Sequence, residues 1–391
     1  MSTIRSNGAA SLYDYYIQSN QFFSVIERST DYVKVFKFIG MIGLCEKIYM
    51  TILYTGTLIN ELMGKNDFFD ETNNRILFNL FTTIDQLFIF HDWFTFDPFL
   101  FSSAFDEIWK TLPFSNATTH KIESQLTYCK LNFTILTLSQ FILCYALLFH
   151  DPLVEQKKVS NLTYISKVFN VLGYGYSLFI VNHLLITGVF LHSGFVSLSS
   201  ILDSLVNYSK TKLCLSKQHL RPKIICYYRN VYNFLGQLTD LTDRSHRMFI
   251  GTFYLTCVPK MVTMVYDIVF TGAEFKIFHI AEACANVIRL IVITNSVAEI
   301  PNYTANFWKT IYSFSIVCTD SPSMNEANLF LEASLNQNYG IKIFSSKVIT
   351  YAIVPTIITT IATYFIGIAS YQRSRIYACF DKANDTKCLV D

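Results

Sequence analysis

The sequence predicts an all-α fold: a polytopic membrane protein with seven transmembrane helices, a cytoplasmic N-terminus and an extracellular C-terminus. Three observations carry this expectation. The chain is 51% hydrophobic and only 15% charged, where a soluble domain carries about 25% charged residues. It contains seven apolar runs of roughly 20 residues, each long enough to cross a bilayer as a helix. The connections between the runs alternate in length, short then long, which sorts the loops onto two sides.

The runs cover about 38–60, 75–96, 131–149, 168–191, 248–271, 277–299 and 348–371. The first is interrupted by Glu46 and Lys47. A further run at 306–318 (NFWKTIYSFSIVC) is short and one-sided, and reads as a surface or interfacial helix. The connections at about 61–74, 150–167 and 272–276 are short, whereas 97–130, 192–247 and 300–347 are long and share a side with the N-terminus. That side holds Arg5, Arg28, Lys34 and Lys37, and also Lys210, Lys212, Lys217, Arg221, Lys223, Arg229, Arg244 and Arg247. The excess of basic residues makes it cytoplasmic. Arg373, Arg375, Lys382, Lys387, Lys157 and Lys158 run against the rule, because the same layout puts them outside.

The long connections are themselves patterned. Val231, Phe234, Leu235, Leu238 and Leu241 recur at helical spacing within 229–249, so the fifth span is expected to extend as a helix into the cytoplasm. NLFLEASLNQ, residues 328–337, reads the same way. Together they predict a helical cytoplasmic region.

Several function classes are excluded on composition and motif. A formal net charge of +2 with scattered basic residues gives no nucleic-acid surface. Ten cysteines without a CxxC pair, and a His183 with no second histidine at ligand spacing, predict no metal site and no cofactor. There is no phosphate-binding glycine loop, no GxSxG and no HExxH, so no enzyme is expected. The polar N-terminus lacks the apolar core of a cleaved signal peptide. The final Cys388-Leu-Val-Asp is not a prenylation box, and Cys379 and Cys388 either pair outside the cell or stay free. No internal repeat or paired broken helices point to a transporter.

In the last run, Thr356, Thr360, Thr363, Gly367 and Ser370 are spaced four, three, four and three apart and share one helical face. A stripe of hydroxyls and small residues either lines a wetted pore or allows close helix packing. Within the runs, Glu46, Asp85, Lys260, Asp267, Glu282 and Arg289 are ionisable; such residues are costly in lipid and face a cavity or a partner. Asp85 is a candidate partner for Arg289. Asp267 and Glu282, near the outer ends of the fifth and sixth runs, either face a pocket or reach the interface, and Tyr266 stands beside Asp267. Gln140 and Tyr145 in the third run, and Asn170, Tyr174 and Tyr176 in the fourth, offer aromatic walls with a few polar groups, which suit a small amphipathic ligand. Tyrosines there equally mark the membrane interface. Six sequons are present, at Asn116, Asn132, Asn161, Asn207, Asn302 and Asn384, of which Asn161 and Asn384 fall outside in this topology.

Thr363-Tyr364 followed by FIGIA, the segment YRNVYNFLGQLTDLTDR before the fifth run, and Phe330 to Phe344 leading into the last run resemble the insect gustatory receptors of the insect chemoreceptor superfamily. The family pattern places glutamine after Thr-Tyr and five apolar residues; here Ser370 holds that position and Gln372 comes two places late. Odorant receptors share the architecture, but their C-terminal signature fits less well. The resemblance implies a tastant-gated, non-selective cation channel in the plasma membrane of chemosensory neurons, passing monovalent and divalent cations. It implies four subunits, homomeric or mixed with other gustatory receptors, that meet through cytoplasmic helices around a pore lined by the last helix.

On that pattern residues 1–37 are a cytoplasmic N-terminus and 38–299 carry six helices with a ligand pocket in their outer half. Residues 300–347 supply a cytoplasmic loop and anchor helices, 348–372 the pore helix, and 373–391 an extracellular tail. Gln140, Tyr145, Tyr174, Tyr176, Tyr266, Asp267 and Glu282 are the expected ligand-binding residues. Thr356, Thr360, Thr363, Ile366, Gly367 and Ser370 are the expected pore residues, with Ile366 the narrow point because serine is too short to close the ring at 370. A seven-span G-protein-coupled receptor is the alternative, and it requires the opposite orientation.

Overall fold

The computed structural model describes residues 30–64, 71–95, 116–149, 161–211, 222–270, 276–318, 320–337 and 339–382. Eight helices account for nearly all of them: α1 (Thr30–Gly64), α2 (Glu71–Thr95), α3 (Asn116–Phe149), α4 (Asn161–Thr211), α5 (Pro222–Phe270), α6 (Lys276–Ser315), α7 (Ser321–Asn336) and α8 (Ile353–Lys382). Each of the seven expected runs overlaps one of the long helices, and α7 is the helix read in 328–337. Among the described residues α4, α5, α6 and α8 are long and apolar enough to cross a membrane.

Three expectations are corrected. The run at 306–318 is not a separate surface helix. It is the end of the 40-residue α6, where Phe307, Ile311 and Phe314 are fully buried. Its one-sided pattern marks the face that α6 presents to a core rather than to a membrane surface. Segments 192–247 and 300–347 are helical beyond the stretches 229–249 and 328–337 expected to be so, because α4 runs on to Thr211, α5 begins already at Pro222 and α6 runs on to Ser315. The last helix begins at Ile353 rather than 348. Before it, β1 (Lys342–Ile343) and β2 (Lys347–Val348) form an antiparallel hairpin in the register Lys342↔Val348 and Ile343↔Lys347, so the fold has a small β element.

Two hydrophobic cores organise the helices. One lies between α2, α4, α5 and α6 and includes Phe90, Trp93, Tyr176, Val181, Ile250, Phe253 and Ile293. The other gathers the C-terminal half of α4, the N-terminal half of α5, the end of α6 and α7 around Phe195, Tyr232, Phe307, Phe330 and Tyr339. This second core packs together the segments 229–249 and 328–337 that read as helical in the sequence. Tyr232 and Phe307 stack there with centroids 4.9 Å apart. The N-cap of α7 is Asp320, whose carboxylate accepts from the Ser323 amide at 3.1 Å, satisfying one of the orphan donors of the first turn.

Close approaches need glycine at a few points. A methyl group at Gly188 on α4 would stand 2.2 Å from the Ser296 carbonyl oxygen on α6. That is backbone and cannot yield. Gly40 and Gly43 admit the rings of Trp93 and Phe90, letting α1 lie close on α2.

Candidate functional site

At one end of the first core, the N-terminal ends of α2 and α6 meet the C-terminal end of α5. Asn74 donates to Asp267 at 2.5 Å and to the Thr263 carbonyl at 3.3 Å. His279 Nε2 lies 3.4 Å from the other oxygen of Asp267. One to three turns further along, four charged side chains converge. Lys260 Nζ stands 3.4 Å from Asp85 Oδ2 and 3.5 Å from Glu282 Oε1. Arg289 Nη1 is 3.9 Å from the same Asp85 oxygen. Tyr174 donates to Glu282 at 3.3 Å, and the Arg289 guanidinium carbon sits 5.9 Å from the ring centroids of both Tyr174 and Phe253.

The four charged side chains are at most 2% exposed. Two acids and two bases leave the group formally neutral, which is what a low-dielectric interior requires. The separations are nevertheless loose. Charge-assisted hydrogen bonds run to about 2.7–2.9 Å, and none here is that short. Asp85 Oδ1, Glu282 Oε2 and both Arg289 terminal nitrogens are buried without a hydrogen-bond partner. The cluster therefore holds spare donors and spare acceptors side by side.

The expected ligand-binding residues divide accordingly. Tyr174 and Glu282 touch, and Asp267 lies at the neighbouring end with Asn74 and His279. Tyr176, two residues from Tyr174, turns the other way and stacks on Trp93 with centroids 4.6 Å apart. Tyr266 is buried against Phe270. Gln140 is buried, with neither amide atom hydrogen-bonded. Tyr145 is 58% exposed and points away from the bundle interior. The Asp85 pairing expected for Arg289 is present as the long contact above. The links of Lys260 to Asp85 and Glu282, and of Asn74 to Asp267, were not visible in sequence. His183 does have a histidine neighbour, His246 at 3.0 Å, 63 residues away on α5. No group of three or more metal-ligating side chains occurs among the described residues.

On α8 two faces separate. Val354, Ile358, Ile361, Ala362 and Phe365 line an apolar groove against α5 and α6. Thr356, Thr363, Ile366, Gly367 and Ser370 are exposed and Thr360 is half-buried; nothing lies within 4 Å of where a Gly367 side chain would begin. The threonine hydroxyls bond back to their own helix, Thr356 to Ala352, Thr360 to Thr356 and Thr363 to Thr359, at 2.7–2.8 Å. The stripe thus packs against no other helix among the described residues. Asn161 is the first residue of α4; Asn384 and Cys388 lie outside the described residues.

No family model and no curated protein matches the sequence. Solved structures do match. The insect olfactory receptor OR5 from Machilis hrabei superposes with a TM-score of 0.63 at 10% identity, covering 87% of this chain and 88% of that one. The same receptor in complex with eugenol gives 0.61 at 9% identity, covering 85% and 88%. This chain has the insect olfactory receptor fold. At such low identity the likeness extends to the fold alone.

Proposed function

We propose that the protein is a ligand-gated cation channel of the insect chemoreceptor superfamily, of the gustatory type, crossing the plasma membrane seven times. The observation that carries this reading is α8. Its apolar stretch is long enough to span a bilayer, yet only 11% of it is covered by the rest of the chain, against 56–78% for α4, α5 and α6. A helix with an apolar face docked on α5 and α6 and a bare hydroxyl stripe on the opposite side is suited to face copies of itself around an axis. Four copies then make a pore, and the outer faces of the helices around the second core supply the contacts between subunits on the cytoplasmic side.

The Tyr174–Glu282–Arg289–Lys260–Asp85 cluster, with Asp267 beside it, forms the polar part of the ligand pocket. A guest that both donates and accepts hydrogen bonds would use the partnerless atoms of Glu282, Asp85 and Arg289. The olfactory receptor of like fold binds eugenol, which favours an odorant as the second reading; the Thr363-Tyr364 pair favours a tastant. Expressing the chain alone and recording currents against a panel of tastants and odorants tests the proposal. Currents evoked by a compound and absent from untransfected cells support it. Currents appearing only through a coupled G-protein pathway contradict it.

A further inference from the structure

A cavity lies away from the charged cluster, between α3, α4 and α6 at the end of the bundle nearest the second core. It measures about 410 Å³ and is closed on one side by Tyr351, just before α8. Among its described lining residues Glu299 is the one carboxylate, and there is no lysine or arginine. Tyr351 donates to Glu299 Oε1 at 2.7 Å. His192 Nε2 approaches Glu299 Oε2 only to 3.8 Å, beyond hydrogen-bonding distance, so that oxygen keeps lone pairs for a further donor. Asn295 donates to Tyr128 at 3.3 Å, which fixes one aromatic wall. Leu185 and Val189 on α4 supply an apolar side.

We infer that this cavity binds a protonated amine carrying a short apolar chain. The Glu299 side chain is 45% exposed, so a guest can reach it, and a carboxylate with no lysine or arginine among the lining residues favours a cationic donor. The volume far exceeds that of a bare ion, and Leu185 and Val189 offer a short apolar chain a surface to cover. The two tyrosine rings add surface on which an ammonium group is favoured. The amine comes either from an ethanolamine lipid headgroup or from a free small molecule; the recognised chemistry is the same. The site is separate from the proposed ligand pocket and does not depend on whether the chain conducts ions.

The test is thermal unfolding of the purified full-length protein in nanodiscs. In phosphatidylcholine nanodiscs butylammonium chloride should raise the unfolding temperature, and 1-butanol at equal concentration should not. Glu299→Gln should weaken the apparent affinity about tenfold or more, the loss of a charge-assisted hydrogen bond. Val189→Phe, which keeps the carboxylate and fills the space, should abolish the shift, so the test stands even if Glu299→Gln fails to fold. Glu332→Gln, exposed on α7, should leave the shift intact. In phosphatidylethanolamine nanodiscs, a higher starting temperature with no further butylammonium effect identifies the lipid as the source, and a persisting effect identifies a free amine. A shift given equally by 1-butanol, retained in both cavity variants, or absent in both nanodiscs overturns the inference.

Discussion

Asp243 on α5 holds the hairpin that leads into α8: its Oδ1 accepts from the Lys342 backbone amide at 2.6 Å, while Oδ2 accepts from Arg247 at 2.8 Å. One buried carboxylate thus links the long helix that passes through both cores to the strand preceding the proposed pore helix. Asp243→Ala should leave a part-buried amide without its acceptor and cost about 1–3 kcal/mol, read as a lower unfolding temperature. Asp243→Asn keeps an acceptor at Oδ1 and should lose less. Equal stability of all three proteins would show that the link does not hold the hairpin.

The same hairpin carries backbone strain. Phe344 and Ser345 have φ of 46° and 64°, a left-handed region that disfavours side chains. Phe344 also fills the space over Gly251, where an added methyl would lie 2.6 Å from its ring. Ser345 is exposed, so Ser345→Gly should stabilise by about 1 kcal/mol. Phe344→Gly relieves the same strain but loses the packing, and should destabilise overall. A fall in unfolding temperature with Ser345→Gly contradicts this account of the turn.

The charged cluster makes a prediction about balance. Lys260→Met leaves Asp85 and Glu282 facing only Arg289, and breaking such a buried group costs about 3–5 kcal/mol. Surface expression should fall sharply. Adding Asp85→Asn restores formal neutrality and should recover much of it. Equal expression of Lys260→Met and wild type would mean that the carboxylates are not charged together.

If the cluster binds ligand, Asp267→Asn, and Glu282→Gln compared at matched surface level because it also unbalances the charged group, should shift dose-response curves by about tenfold or more. Unmoved curves remove these residues from the pocket.

Topology is open to glycan mapping. With a cytoplasmic N-terminus, glycosylation is confined to Asn161 and Asn384. Asn207 and Asn302 are exposed on α4 and α6, so they would accept a glycan if their side faced outward. An endoglycosidase shift that disappears with Asn207→Gln or Asn302→Gln would reverse the orientation and revive the G-protein-coupled alternative.

The helices were legible because their cause is local. Seven apolar runs fix seven long helices, and the spacing of Val231, Leu235 and Leu238 already announced the continuation of α5. Helix ends were less legible. The apolar positions of 306–318 match a surface helix as well as a core face, and only packing on Phe330 and Tyr232 decides between them. The ionisable residues stood out against apolar surroundings, so every charged member of the cluster was visible. Its pairings were not, because Lys260 and Asp85 are 175 residues apart and nothing local couples them. The divergence of Tyr174 from Tyr176 depends on which neighbour each helix face meets.

The most direct test of the central claim is single-channel recording from the α8 variants, with surface labelling of the same cells. Ser370→Leu should lower unitary conductance, and Ile366→Ala should raise current without ligand, both at normal surface level. Ile361→Ala, on the face docked to α5 and α6, should change neither. Unchanged conductance in Ser370→Leu together with lost surface protein would mean that the hydroxyl stripe packs subunits and lines no pore.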